Sequence, residues 1–97
     1  MSEAPRPAID RVEFDGEYDL TRREEVRAAL SPLDGTRPVV LDVRRITYVD
    51  SSFFNELANF RRDHKECAVT IEGPSSMMKR LLKMLAFDKL FTITNGD

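Results

Sequence analysis

The sequence predicts an α/β domain: a small mixed, mostly parallel sheet of about four strands with three or four helices packed on it. Three observations carry this prediction. Apolar strand-like runs alternate with helical patterns along the chain, which implies βαβ units and right-handed crossovers. The run Val39-Val40-Leu41-Asp42-Val43 is apolar at all but one position, the mark of a central parallel strand buried on both faces. The chain has 97 residues, enough for one compact domain and too few for two, and its apolar fraction of 41% is adequate for a core.

The elements follow in order. Residues 1–7 hold two prolines and read as a flexible arm, so the domain is expected to occupy 8–97. Ile9, Val12 and Phe14 predict a first strand over roughly 8–14, at a sheet edge, with Asp15-Gly16 as a turn after it. Thr21 and Glu24 stand at capping-box spacing and open a helix whose Val26, Ala29, Leu30 and Leu33 share one face. Pro32 and Asp34-Gly35 end it. The central strand then runs from Pro38 to Val43. Asp42 is expected near its carboxyl end, because a carboxylate buried without a partner is costly and because sites of open α/β sheets gather there.

A second helix is predicted from about Ser52 to Lys65, with Phe53, Leu57 and Phe60 on its core face and Phe54 and Ala58 widening it. Cys67, Ala68, Val69 and Ile71 make the next strand. Gly73-Pro74-Ser75-Ser76 turns the chain into a third helix, with Met78, Leu81, Leu82 and Leu85 on one side and Lys79, Arg80 and Lys83 on the other. The basic side is read as a solvated surface in preference to a binding patch. A short last strand is expected at Phe91 to Thr94.

Composition narrows the function. Fifteen Lys plus Arg oppose seventeen Asp plus Glu, a net charge of -2, which argues against direct nucleic-acid binding. The single cysteine, Cys67, forms no internal disulfide and reads as a small buried hydrophobe. There is no Gly-rich phosphate loop, no Cys/His metal spacing and no nucleophile elbow, so no cofactor, metal or catalytic residue is expected. No apolar run reaches membrane-span length, and Met1-Ser2-Glu3-Ala4-Pro5 lacks the features of a signal peptide. A cytoplasmic protein without membrane insertion is the expectation.

The polar group that stands out is Asp50-Ser51-Ser52, at the entrance to the second helix. Such a junction lifts short polar side chains beside unpaired N–H groups at the positive end of a helix, where they cap it, hold an anion or carry a phosphate.

Four stretches together resemble the STAS domain, the family of bacterial anti-sigma factor antagonists. Gly16-Glu17-Tyr18-Asp19-Leu20 resembles the family's segment before its first helix. Val39 to Val43, followed at the usual spacing by Tyr48-Val49-Asp50-Ser51-Ser52, resembles its central strand and switch junction. Gly73-Pro74-Ser75 with Lys79-Arg80-Leu81-Leu82 resembles the loop and third helix, and Phe87-Asp88-Lys89-Leu90-Phe91 the segment after it.

The resemblance implies a protein–protein switch and not an enzyme. The partner it implies is an anti-sigma factor with serine kinase activity, which binds the domain when Ser51 is unphosphorylated and releases it when Ser51 carries phosphate; a phosphatase resets the switch. Asp50, Ser52, Asp19, Asp42 and Thr47 are the expected neighbours of the switch. The expected oligomeric state is a monomer or weak dimer. Two residues depart from the family's pattern. Phe53 stands where relatives have a small residue; a core position is open to it and to Phe54, but both are assigned to contact with a partner. Ala86 stands where many relatives have Gly, so the third helix is expected to end without a left-handed residue. Two other functions stay open. One is a constitutive STAS subunit of another assembly, such as the cytosolic partner of a lipid-trafficking ABC transporter or a stressosome-like scaffold. The other is a nucleotide or small-molecule module using the helix N-termini at Ser51 and Ser75.

Overall fold

Alternating burial shows how the layers stack. In β1 (Asp10–Tyr18), Phe14 and Tyr18 are buried while Arg11, Glu13, Asp15 and Glu17 face solvent, in a computed structural model that describes residues 9–95. β2 (Val39–Val49), β3 (Val69–Glu72) and β4 (Thr92–Thr94) complete one sheet in the order β1-β2-β3-β4. All three pairings among the described residues are parallel. α1 (Arg23–Leu30), α2 (Ser51–Asp63) and α3 (Ser76–Met84) make the crossovers. Each crossover steps to the next strand in the same direction, so right-handed connections place all three helices on one face. Their apolar residues Val26, Leu30, Phe53, Phe54, Leu57, Met78 and Leu82 join Val39, Leu41, Val43 and Ile71 in one core.

The opposite face carries charge in place of a second helical layer. Asp42 lies in the middle of β2, opposite Glu13 and Glu72 on its neighbours. Arg11 and Arg44 each place a guanidinium nitrogen 2.8 Å from its Oδ2, and Arg11 reaches Glu72 at 2.7 Å. The Arg44 hydrogen bonds, joined by Arg11, hold the Asp42 carboxyl well below the usual carboxylate range against the opposing effect of burial. The pairing explains how a carboxylate only 7% exposed sits within a sheet.

Several boundaries differ from the sequence reading, each for a local reason. β1 continues through Asp15-Gly16 to Tyr18, because β2 inserts an extra residue at each of two register shifts and Gly16, at φ +94°, follows the bend without ending the strand. β2 does not stop at Val43: Arg44 and Arg45 are exposed, and pairing with β1 carries the strand on to Val49. Thr21 does not form a capping box with Glu24. Its N–H and hydroxyl both donate to Asp19, and a 3-10 turn at Leu20–Arg22 precedes α1. The arm expected at 1–7 falls outside the described residues.

The end of α3 also overturns the expectation. Ala86 has φ +58°, with Ala86 N–H donating to Lys83 O at 3.0 Å and Phe87 N–H to Leu82 O at 2.9 Å. These two bonds define a Schellman motif with alanine in the left-handed position. Partly buried Phe87 packs on the core and fixes the exit direction, overriding the local preference for glycine.

Candidate functional site

The site is built at the carboxyl ends of β1 and β2. The last paired residues are Tyr18 and Val49, and Asp50 N–H donates to Tyr18 O at 3.2 Å. Asp19 and Asp50 are therefore the next residues on two adjacent strands, whose spacing is about 4.8 Å. Both turn the chain in the same way. Asp19 accepts from the N–H of Thr21 at 2.9 Å and from its hydroxyl. Asp50 accepts from the N–H of Ser52 at 2.9 Å and from the Ser52 hydroxyl. In each case an aspartate in extended conformation captures the donor two residues on and opens a helical turn. The hydrogen bonds from Thr21 keep the Asp19 carboxyl below its ordinary value.

This geometry separates the two serines. Ser52 has its hydroxyl tied to the cap. Ser51, the first residue of α2, is exposed, and its hydroxyl makes no hydrogen bond among the described residues. It opens the positive end of a 13-residue helix, next in sequence to Asp50, with Asp19 on the adjacent strand. The neighbouring carboxylates are engaged, Asp50 by Ser52 and Asp19 by Thr21, and the one histidine, His64, closes the opposite end of α2, about 20 Å away at the helical rise. Among the described residues no group of three or more His, Cys, Asp or Glu is placed to hold a metal ion.

The expected neighbours divide. Asp19, Asp50, Ser52 and Thr47 are brought to this end, Thr47 as the exposed extra residue of β2 between the partners of Gly16 and Glu17. Asp42 is not. It precedes Asp50 by eight residues of mostly strand, on the order of 25 Å along β2, and its carboxylate is taken up by Arg11 and Arg44. Nor do Phe53 and Phe54 offer contacts to a partner. They are 1% and 0% exposed, and Phe53 packs edge-on against Phe14 at 5.1 Å. The first turn of α2 lies directly over the sheet, so both rings point into the core.

Other apolar groups take the exposed positions. Leu20 is 61% and Tyr48 48% exposed, at the ends of the same two strands. Tyr48 keeps the outward phase of Val40 and Asp42, because the two extra residues of β2 cancel; only Ile46, between the two shifts, turns to the core against strict period-two reading. Arg22 braces the loop beneath: its guanidinium lies 4.1 Å over the Tyr18 ring and donates to Glu17 O at 2.7 Å. Glu56, also missed, is a buried carboxylate of α2 bonded by Arg27 of α1 at 2.7 Å. The pair sits at a groove of about 510 Å³ between α1 and α2, away from Ser51.

The chain matches the family model described as "Mlab, STAS domain" over residues 2–93. No curated protein matches it in sequence. Among solved structures it is similar to a putative anti-sigma factor antagonist from Thermotoga maritima, with TM-score 0.78 and 11% identity over 91% of this chain and 80% of that one. It is also similar to the anti-sigma factor antagonist SpoIIAA in its unphosphorylated form, with TM-score 0.65 and 18% identity over 91% and 94%. A sulfate transporter family protein from Wolinella succinogenes gives TM-score 0.76 and 14% identity over 96% and 81%. At these identities the structures speak to the fold, and the family model speaks to descent over almost the whole length. The chain belongs to the STAS domain family.

Proposed function

We propose that this STAS domain is a binding module switched by phosphorylation of Ser51, with an anti-sigma factor kinase as its partner. The observation that carries this is the division of labour at the cap. Asp50 and Ser52 build the helix start between them, which leaves the Ser51 hydroxyl exposed for modification. A partner kinase brings its own base, and the Asp50 and Asp19 carboxylates are engaged by Ser52 and Thr21, an arrangement that suits a substrate serine better than a nucleophile. The unmodified surface offers a small hydroxyl at the strand ends where Leu20 and Tyr48 are exposed. Phosphate adds about -1.5 to -2 charge there, close to Asp19 and Asp50. The helix terminus accommodates that charge in the free domain. A docked apolar surface does not, and a desolvated charge costs several kcal/mol, on the order of a thousandfold in affinity.

A second reading has its own support. The matching family model is the Mlab-type STAS domain, and one similar structure comes from a sulfate transporter family protein. This favours a constitutive subunit of a transport assembly, in which the same surface is held permanently and the aspartate cap is structural.

Affinity capture from the source cell with wild-type, Ser51→Ala and Ser51→Asp baits, with intact-mass analysis of the wild type, separates the two. The switch reading expects a kinase-like partner on wild type and Ser51→Ala, none on Ser51→Asp, and one phosphate that Ser51→Ala cannot acquire. Equal capture of transport proteins by all three baits, with no phosphate, overturns the switch and supports the constitutive subunit.

A further inference from the structure

α3 carries a surface that neither reading uses. Its inner side, Met78 and Leu82, is buried. Its outer side presents two adjacent rows: Met77, Arg80 and Met84 at spacings of three and four, and Lys79 with Lys83 four apart. Met77 is 51% and Met84 76% exposed, the latter the most exposed of the large apolar side chains among the described residues. Arg80 and Lys83 make no hydrogen bond or ion pair among the described residues, and Lys79 reaches only the side-chain amide oxygen of Asn95, at 2.9 Å. Lys79, Arg80 and Lys83 line a groove of about 380 Å³ whose other wall is Ile93 of β4, the strand at the edge of the sheet. Asp88 is the one carboxylate in that lining. Cations therefore concentrate here on a chain whose net charge is -2.

Solvated cations need no explanation by themselves. Two strongly exposed methionines aligned beside them do, because flexible thioether side chains adapt to an apolar partner while the lysines and arginine select its charge. We propose that the outer face of α3, with the groove against β4, docks an acidic amphipathic segment of a protein partner. Its apolar residues cover Met77 and Met84, and its carboxylates meet Lys79, Arg80 and Lys83. The two methionines lie seven residues apart, about 10 Å, so a helix of two turns or more spans the row. A membrane surface fits less well. Helices that lie in a bilayer interface bury Trp, Phe or Leu, and this face exposes none of them. A nucleic acid offers nothing apolar at the spacing of the methionine row.

The test uses the full chain and a labelled peptide of about four helical turns, with Leu on one face and Glu on the other. Its counterpart with Gln for Glu and vesicles of phosphatidylglycerol are the controls. The Glu peptide is expected to perturb backbone amide resonances between Met77 and Ile93. Arg80→Glu with Lys83→Glu is expected to weaken its binding at least about tenfold, as is raised salt. Met77→Ser with Met84→Ser, which leaves the charge intact, is expected to weaken it as well; either double variant with wild-type dispersion of its spectrum suffices. The proposal is overturned if the peptide perturbs no residue of α3, if the Gln peptide binds equally well, or if the vesicles bind more tightly than the peptide.

Discussion

Replacing Ala86 with glycine removes a strain visible in the backbone. At φ +58°, the Ala86 side chain sits in a conformation that costs an L-residue about 1–2 kcal/mol relative to glycine. Glycine in turn has more freedom to lose on folding, roughly 0.5–1 kcal/mol. The difference is a net gain of about 0.5–1 kcal/mol, with both Schellman hydrogen bonds kept because they use backbone atoms only. For a domain of this size, 1 kcal/mol moves Tm by roughly 4–8 °C, so Ala86→Gly is expected to raise it by about 2–8 °C. Urea titration followed by circular dichroism is the assay, with m unchanged and the midpoint shifted upward. Ala86→Val is the opposing control, because a β-branched residue is still less suited to positive φ. If Ala86→Gly melts at or below the wild-type temperature with the same m, α3 does not end in a left-handed residue and the account of its cap is wrong.

Three further outcomes are expected. Asp42 is held below its unfolded pKa, so its contribution to stability is full above the unfolded value near pH 4 and is lost as the pH falls further. Asp42→Asn should cost about 1–3 kcal/mol at neutral pH and flatten the acid limb of a stability–pH curve; an unchanged acid limb refutes the role given to the Arg11–Asp42–Arg44 cluster. At the candidate site, Asp50→Ala should lose about 1 kcal/mol through the helix cap, whereas Ser51→Ala should stay within about 0.5 kcal/mol of wild type. Chemical denaturation of the two variants checks this, and equal losses would give Ser51 a structural role. Finally, Arg27→Ala strands the buried Glu56 carboxylate, while Glu56→Gln leaves Arg27 in contact with solvent. The first should cost about 2–3 kcal/mol and the second about 1 kcal/mol or less in the same assay; the reverse order would mean that Glu56 finds another partner.

The sequence by itself determined what depends on spacing along the chain. The βαβ alternation, the apolar face of each helix and the run Val39 to Val43 are periodic signals, and periodicity follows from which side of an element faces a core. The order and spacing of short stretches was enough to point to the STAS family. The polar triplet Asp50-Ser51-Ser52 was also legible, because a cap is a contact between residues two apart. Tertiary structure decided the rest. Asp42 sits in mid-strand because Arg11, 31 residues away, crosses from the neighbouring strand to join Arg44 in pairing with it. Phe53 and Phe54 belong to the core because α2 lies over the sheet at that turn, and Ile46 turns to the core because a bulge in pairing with β1 shifts the alternation of β2. Ala86 takes a left-handed conformation because Phe87 is drawn onto the core. In each of these cases the deciding energy comes from a packed or paired group distant in sequence, and it outweighs a local preference of about 1 kcal/mol.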